Sequence, residues 1–303
     1  MVDVATPVKV DGRELFQKMT DKMEDYGLKP LWDAVLPVYL AFRRVCERHG
    51  LRHWAAFGTA LGVARHKGFI PWDDDFDVMM PRADYEIFME VAQLKLPAHL
   101  KVVNFKNTDG YPWLFGKVQN VDKANLTNLE KCLGRTLPQG IYIDILPCDG
   151  YPSIWWSRAK RWFHGIALCA RREYCTCPKW KRNRIRRRIM IELGRFLGYW
   201  FKGARTVRDF VSANDGRMKT CSFDDAKHII TCGVRFSLGL TGNVYPADIF
   251  RSGTIEMPFM DITVPMLTNW EGYLEIEYGD WRKLPPIDCR ILTHSGEDIA
   301  PWR

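Results

Sequence analysis

Residues 57–77 read F-G-T-A-L-G-V-A-R-H-K-G-F-I-P-W-D-D-D-F-D, and the apolar run 78–80 that follows is typical of a strand. Residues two apart share one face of a strand, so Asp75 and Asp77 are predicted to lie side by side. Two carboxylates on a half-buried face repel each other and are costly to desolvate, which favours a cation between them. Oxygen ligands suit Mg²⁺ or Mn²⁺. The acidic residues 73–74 are expected to form a solvated turn.

The start of the same stretch predicts an anion site. An apolar strand at residues 53–57, a tight turn at Gly58 and a helix from Thr59 would point free backbone N–H groups at a phosphate. At the far end of the helix, Arg65 and Lys67 are placed to clamp a diphosphate. The alternative is an ordinary basic helix end favoured by the helix dipole. A phosphate at a helix start with a metal on the next strand indicates phosphoryl-transfer chemistry.

Two later residues are further candidates. Lys117 lies in a predicted strand at residues 113–118, where a lysine usually lies on the exposed face and less often contacts a phosphate. Asp144 interrupts the apolar strand 141–146, and a buried carboxylate there needs a partner. That partner is either the metal held by Asp75 and Asp77 or a neighbouring backbone group.

The chain resembles the LicD/fukutin-type phosphotransferase family in the Gly58-Thr59 turn and in four segments: residues 65–77, 81–85, 142–147 and 278–285. The resemblance implies an α+β, nucleotidyltransferase-like mixed sheet flanked by helices, with a basic helical insert. It also implies transfer of a phospho-alcohol, phosphocholine being the first expectation, from a CDP-linked donor to a hydroxyl of a cell-surface glycan or lipid-linked precursor. CMP would be released.

The resemblance also assigns site residues. It puts the third carboxylate on the strand beside the Asp-x-Asp strand, where Asp144 is expected to bind the metal and is also a candidate to accept the proton of the acceptor hydroxyl. The predicted catalytic and metal-binding residues are Asp75, Asp77 and Asp144, and the predicted phosphate-binding residues are Gly58, Thr59, Arg65, Lys67 and Lys117.

The composition sets broad limits. The 303 residues are 47% apolar, which excludes a largely disordered chain, and the formal charge of +8 favours an anionic partner. The nine scattered cysteines match neither a disulfide framework nor a zinc pattern, so a reducing compartment is expected. The first twelve residues lack the apolar core of a signal peptide. A cytoplasmic protein is predicted, with the inner face of the membrane as a further possibility.

Changes in composition divide the chain into four predicted parts. These are the N-terminal helices (1–50), the catalytic core (51–150), a basic, aromatic-rich helical insert (151–225) and a C-terminal completion of the core (226–303). Seven of the ten residues 179–188 are basic, which predicts a segment that lies against an anionic membrane. The alternatives are a solvated basic face on a packed helix and, less favoured, a nucleic-acid patch.

Two rival functions fit the same residues. A cytidylyltransferase would make the CDP-alcohol instead of consuming it, with the same fold and metal. A non-enzymatic basic module would bind membrane or nucleic acid through the insert, and would not depend on the carboxylates.

Overall fold

The computed structural model describes residues 26–111, 113–125, 139–151, 189, 192–193, 206–219, 221–231, 244–286 and 289–290. The basic stretch 179–188, from which membrane binding is predicted, lies outside the described residues, as does most of the predicted insert. No helix among the described residues is long and apolar enough to cross a membrane.

Helices and strands are interspersed along the described part of the chain. The helices are α1 (Lys29–His49), α2 (Phe57–His66), α3 (Arg82–Lys95), α4 (Val207–Met218), α5 (Ala247–Arg251) and α6 (Trp270–Tyr278). The strands are β1 (Trp54–Ala55), β2 (Asp77–Pro81), β3 (Leu100–Val103), β4 (Gly116–Asn125), β5 (Gln139–Tyr151), β6 (His228–Thr231), β7 (Val244–Pro246), β8 (Thr254–Phe259) and β9 (Ile262–Leu267).

A mixed sheet organises the described part of the chain. Its strand order is β1-β2-β5-β4-β3, and β6 pairs with the far end of β5 and with β7. The β2–β5 pair is parallel, whereas the other described pairs of this sheet are antiparallel. The long strand β5 therefore pairs with three neighbours, β2, β4 and β6. It lies between β2 and β4 in the sheet. The predicted α+β class is confirmed.

Helix α1 shows how the sequence pattern builds the core. Its apolar residues recur every three or four positions, and one side of the helix is buried against β5 and α3. Gly50 ends the helix in the left-handed conformation, with φ of 62°, and its backbone N–H bonds back to the last helical turn. The residues of the stripe that are buried include Leu31, Val35, Val38, Phe42 and Val45.

Two predicted elements near the site are wrong in detail. Helix α2 begins at Phe57, so Gly58 lies inside its first turn and does not form a tight turn before it. Strand β2 begins at Asp77, which leaves Asp75 in the loop before the strand. The ladder to β5 extends one residue further by a hydrogen bond from the Asp144 N–H to the Phe76 carbonyl, and it stops there. Asp75 is thus placed by a loop.

The C-terminal elements complete the surroundings of α2. Strands β8 and β9 form a continuous two-stranded hairpin, in which Pro258 pairs opposite Thr263 and does not break the register. Helix α6 packs against α2, and β8 also contacts α2. The backbone N–H of Met260, in the turn of the hairpin, donates to the carbonyl of Lys67 at 2.6 Å. The end of α2 is therefore fixed by residues almost 200 positions later.

Candidate active site

Three predicted site residues form one row across the sheet. Asp77 of β2 lies opposite Asp144 of β5, and Asp144 lies opposite Lys117 of β4. Residues paired directly across neighbouring strands project from the same face. The ammonium of Lys117 lies 2.7 Å from Asp144 Oδ1. Sequence spacing placed Asp77 and Asp144 on separate strands, and the parallel register brings their carboxylates together.

The loop before β2 adds more carboxylates to this row. Carboxylate oxygens of Asp73, Asp74 and Asp75 lie within 4.8 Å of one another. Trp32 of α1 anchors this loop, because its indole N–H donates to the Asp73 carbonyl at 3.0 Å. Asp73 and Asp74 are half-buried and buried, respectively, so the predicted solvated turn is wrong.

Phe76 anchors the loop between Asp75 and Asp77. Its side chain is fully buried and packs against Tyr39, with ring centroids 4.6 Å apart, and against Phe259 at 5.4 Å. Burial of a side chain of this size stabilises by about 1.5–3 kcal/mol. The two neighbouring aspartates are consequently held at the surface of a rigid core.

The carboxylates are crowded enough to change their protonation. Desolvation raises the pKa of Asp77 well above its usual range, and the charges of Asp75 and Asp144 raise it further. The pKa of Asp73 is likewise raised, first by desolvation and then by Asp75 and Asp74. A divalent cation would relieve this repulsion, and a set of carboxylate oxygens is the donor type that Mg²⁺ and Mn²⁺ prefer. The residues present therefore fit such a metal.

Helix α2 begins beside these carboxylates. Phe57 adopts a φ of +42°, an uncommon conformation for a bulky residue, and its N–H donates to the hydroxyl of Tyr273 in α6 at 3.0 Å. A β-carbon at Gly58 would overlap Oδ2 of Asp73, so the glycine makes room for that carboxylate. The hydroxyl oxygen of Thr59 accepts a hydrogen bond from the Asp77 N–H.

Arg65 and Lys67 lie at the opposite end of α2. Seven residues separate Gly58 from Arg65, which corresponds to roughly 10 Å along the helix. The guanidinium of Arg65 donates to the backbone carbonyl of Trp281 and, at 2.8 Å, to that of Lys283. The Lys67 ammonium donates to the Ala64 carbonyl at 3.3 Å. Their contact with a diphosphate stays a prediction.

The sequence interpretation missed two contributors to this site, Asp73 and Tyr273, and it expected the predicted site residue Lys117 on the wrong face of its strand. Asp73 was assigned to a solvated turn, although Asp73, Asp75 and Asp77 alternate as residues on one side of an extended chain do. Tyr273 lies more than 200 residues from Phe57, and no local pattern indicates that they meet. Lys117 was expected on an exposed face, but only 4% of its surface is exposed.

A mixed sheet that presents clustered carboxylates beside a glycine-containing helix start agrees with the nucleotidyltransferase-like fold that the family resemblance implies. In the comparison with known proteins, residues 50–163 match the family model described as "LicD/FKTN/FKRP, nucleotidyltransferase domain". This part of the chain is similar to that domain. The match includes Gly58, Asp75, Asp77, Lys117 and Asp144.

Curated proteins extend the similarity beyond this domain. The chain is 26% identical over 263 residues to "Lipopolysaccharide cholinephosphotransferase LicD" of Haemophilus influenzae, which covers 84% of this chain and 91% of that protein. It is also 29% identical over 105 residues to an uncharacterized protein of Rickettsia prowazekii, 35% of each chain. The resemblance predicted from the motifs, and with it the phosphotransferase class of enzyme, is confirmed.

Proposed function

We propose that the protein transfers phosphocholine from CDP-choline to a hydroxyl of a cell-surface glycan or its lipid-linked precursor, and releases CMP. The observation that carries the proposal is that Asp77 and Asp144 lie directly opposite each other on β2 and β5, with the clustered carboxylates of the loop 73–75 immediately before Asp77, a set that suits a divalent cation and a diphosphate. The relative from Haemophilus influenzae supports the choice of phosphocholine, because the alignment spans most of both chains.

The carboxylates of Asp75, Asp77 and Asp144 would hold Mg²⁺ or Mn²⁺, with Asp73 beside them. When bound, the metal would neutralise negative charge on the diphosphate and on the departing CMP. Asp77 and Asp144 are fixed by strand register, whereas Asp75 is fixed by the buried ring of Phe76 next to it. The ligands would therefore be in position before a substrate arrives, as electrostatic catalysis requires.

The start of α2 would orient the donor. Backbone N–H groups in the first turn of a helix attract phosphate, and Gly58 and Thr59 occupy that turn. In the transfer, a bond forms between the acceptor oxygen and the phosphorus of phosphocholine, and the bond from this phosphorus to the oxygen shared with CMP breaks. The proton of the acceptor hydroxyl passes to a carboxylate of the site, for which Asp144 is the candidate.

The decisive assay compares the two directions of cytidylyl chemistry. One reaction contains CDP-choline and a glycan acceptor with Mg²⁺, and the other contains CTP and phosphocholine. CMP formed with phosphocholine on the acceptor supports the transferase, and Asp75→Asn serves as the inactive control. Diphosphate release in the second reaction, without CMP in the first, would establish the cytidylyltransferase instead. A panel of other CDP-alcohols then tests the identity of the alcohol.

A lipid-linked acceptor would place the enzyme at the inner face of the membrane. The basic residues 179–188 support this location, since each basic residue near an anionic surface contributes about 1 kcal/mol. Replacing Arg186, Arg187 and Arg188 together with glutamate should release the protein from anionic vesicles. Equal sedimentation of the wild type and the triple variant with these vesicles would show that the segment does not bind the protein to the membrane.

A further inference from the structure

The ammonium of Lys117 is surrounded by two aromatic rings and a carboxylate. Its ammonium is 3.4 Å from the ring centroid of Tyr142 and 5.7 Å from that of Phe115, and it pairs with Asp144. Tyr142 precedes Asp144 by two residues in β5, so strand alternation puts both on the face that Lys117 of β4 shares, whereas Phe115 lies just before β4. The contacts of the ammonium with Asp144 and Tyr142 thus follow from the register between β4 and β5.

This ammonium is hardly accessible to water. Only 5% of the Lys117 side chain and 12% of the Asp144 side chain are exposed. A desolvated ammonium is costly unless it is paired, and both an adjacent carboxylate and a tyrosine face stabilise it. Asp144 lies between Lys117 and Asp77 in the row, so the ammonium is only two strands away from that second carboxylate.

We propose that the ammonium of Lys117 acts as a built-in counter-cation of Asp144 and balances the negative charge of the carboxylate row while no divalent metal is bound. The inference rests on the proposed metal site. Asp144 would be shared between the ammonium and the metal. Lys117 would therefore stabilise the metal-free protein and, because both ions are positive, weaken metal binding.

The direction of the effect follows from how Asp144 is held. Its strand is paired on both sides, with Asp77 and with Lys117, and its own N–H donates to the Phe76 carbonyl at 2.9 Å. The backbone of Asp144 therefore keeps its place without the lysine. Removing the ammonium mainly removes a positive charge next to a metal ligand, so metal affinity should rise. A role limited to orienting Asp144 would lower it.

The test measures binding of Mn²⁺ alone, without nucleotide, by calorimetry and by electron paramagnetic resonance. Lys117→Met should bind Mn²⁺ roughly tenfold more tightly than the wild type, as expected for removal of one nearby like charge. Its melting temperature should be lower in chelator, and its rise on adding Mn²⁺ should be larger. Lys101→Met is the matched control: Lys101 is an exposed lysine of the adjacent strand β3, and its loss should leave both quantities unchanged.

A second measurement does not depend on the stability of the methionine variant. The ¹⁵N resonance of the Lys117 ammonium, assigned by its absence in Lys117→Arg, should shift as Mg²⁺ is added to the wild type. The midpoint of this shift should agree with the calorimetric affinity.

The possible results separate the inference from the proposed function. Equal or weaker Mn²⁺ binding by Lys117→Met, or an ammonium resonance that ignores Mg²⁺, overturns the counter-cation role and leaves the metal site intact. A wild type that binds no Mn²⁺ overturns both. Unchanged metal binding together with weaker binding of CDP-choline would assign Lys117 to the phosphate instead.

Discussion

The side-chain oxygen of Thr59 accepts a 2.8 Å hydrogen bond from the backbone N–H of Asp77. This bond joins the first turn of α2 to the first residue of β2, and Thr59 is only 2% exposed. The Thr59 hydroxyl and a second hydrogen bond, from the Ala56 N–H to the Asp77 carbonyl at 3.0 Å, fix the helix start and the carboxylate row relative to each other.

Thr59→Val tests this connection. Valine has nearly the shape of threonine but leaves the Asp77 N–H without its acceptor, so the free energy of unfolding should fall by about 1–3 kcal/mol. Turnover should fall as well, because Asp77 loses one of the hydrogen bonds that hold its backbone in place. Urea unfolding and initial rates measure the two effects. Thr59→Ser keeps the oxygen and should retain most of both, and a serine variant as impaired as the valine variant would contradict the explanation.

Asp75→Asn and Asp77→Asn should each lower turnover by orders of magnitude. A neutral amide binds Mg²⁺ poorly, yet it also relieves the repulsion within the cluster. The melting temperature in chelator should therefore stay the same or rise. Asp261→Asn removes an exposed carboxylate in the β8–β9 turn and should have normal activity. Near-normal turnover of either site variant in saturating Mg²⁺ would remove that residue from the metal site.

The raised pKa of Asp77 predicts how stability depends on pH. An aspartate in the unfolded chain ionises near a pKa of about 3.9, whereas Asp77 in the folded, metal-free protein keeps its proton to higher pH. Between these pKa values the folded state binds more protons, so this group makes stability fall as pH rises, by at most about 1.4 kcal/mol per pH unit.

The stability advantage of Asp77→Asn over the wild type should consequently grow as the pH is raised above about 4 in chelator. Urea midpoints measured from pH 4.5 to 8 test this expectation. Saturating Mg²⁺ should reverse the difference, because only the wild type has the Asp77 carboxylate and is stabilised by binding the metal. A stability difference that is independent of pH in chelator would show that Asp77 is ionised throughout.

Gly58→Ala should lower activity for a steric reason. The helix backbone itself accepts alanine, but the added methyl group overlaps the Asp73 carboxylate and must displace it. The matched control is Gly216→Ala in α4, where a methyl group meets no atom within 4 Å. The control should gain about 0.5–1 kcal/mol of stability from helix propensity without a change in rate. Equal rates for the two alanine variants would show that the position of Asp73 is unimportant.

Short-range patterns were enough to predict much of the fold and part of the site. The Asp-x-Asp spacing before the apolar run 78–80 and the single carboxylate in the apolar run 141–146 are local signals, and they led to Asp77 and Asp144. The motif around residues 65–77 added the family, and the family resemblance added the α+β class. These features depend on residues within about one helix or strand of one another.

The remaining features depend on contacts between distant parts of the chain. The Asp144–Lys117 pair exists because β4 and β5 take one particular register, and a shift by one residue would put the lysine on the other face. Helix α2 begins early because the hydroxyl of Tyr273 accepts a hydrogen bond from Phe57. Such pairings are decided by packing of the whole core, which no sequence window contains.

The contacts between the C-terminal elements and α2 limit when the site can form during translation. Tyr273 binds the first residue of this helix, and the carbonyls of Trp281 and Lys283 bind Arg65 in its last turn. A ribosome that has finished the acidic motif at Asp77 must add about 200 more residues before these contacts can form. At roughly 5–20 residues per second, these contacts with α2 can form only on the order of 10–40 s after the motif has been synthesised. Catalytic competence is therefore expected to arise late in translation.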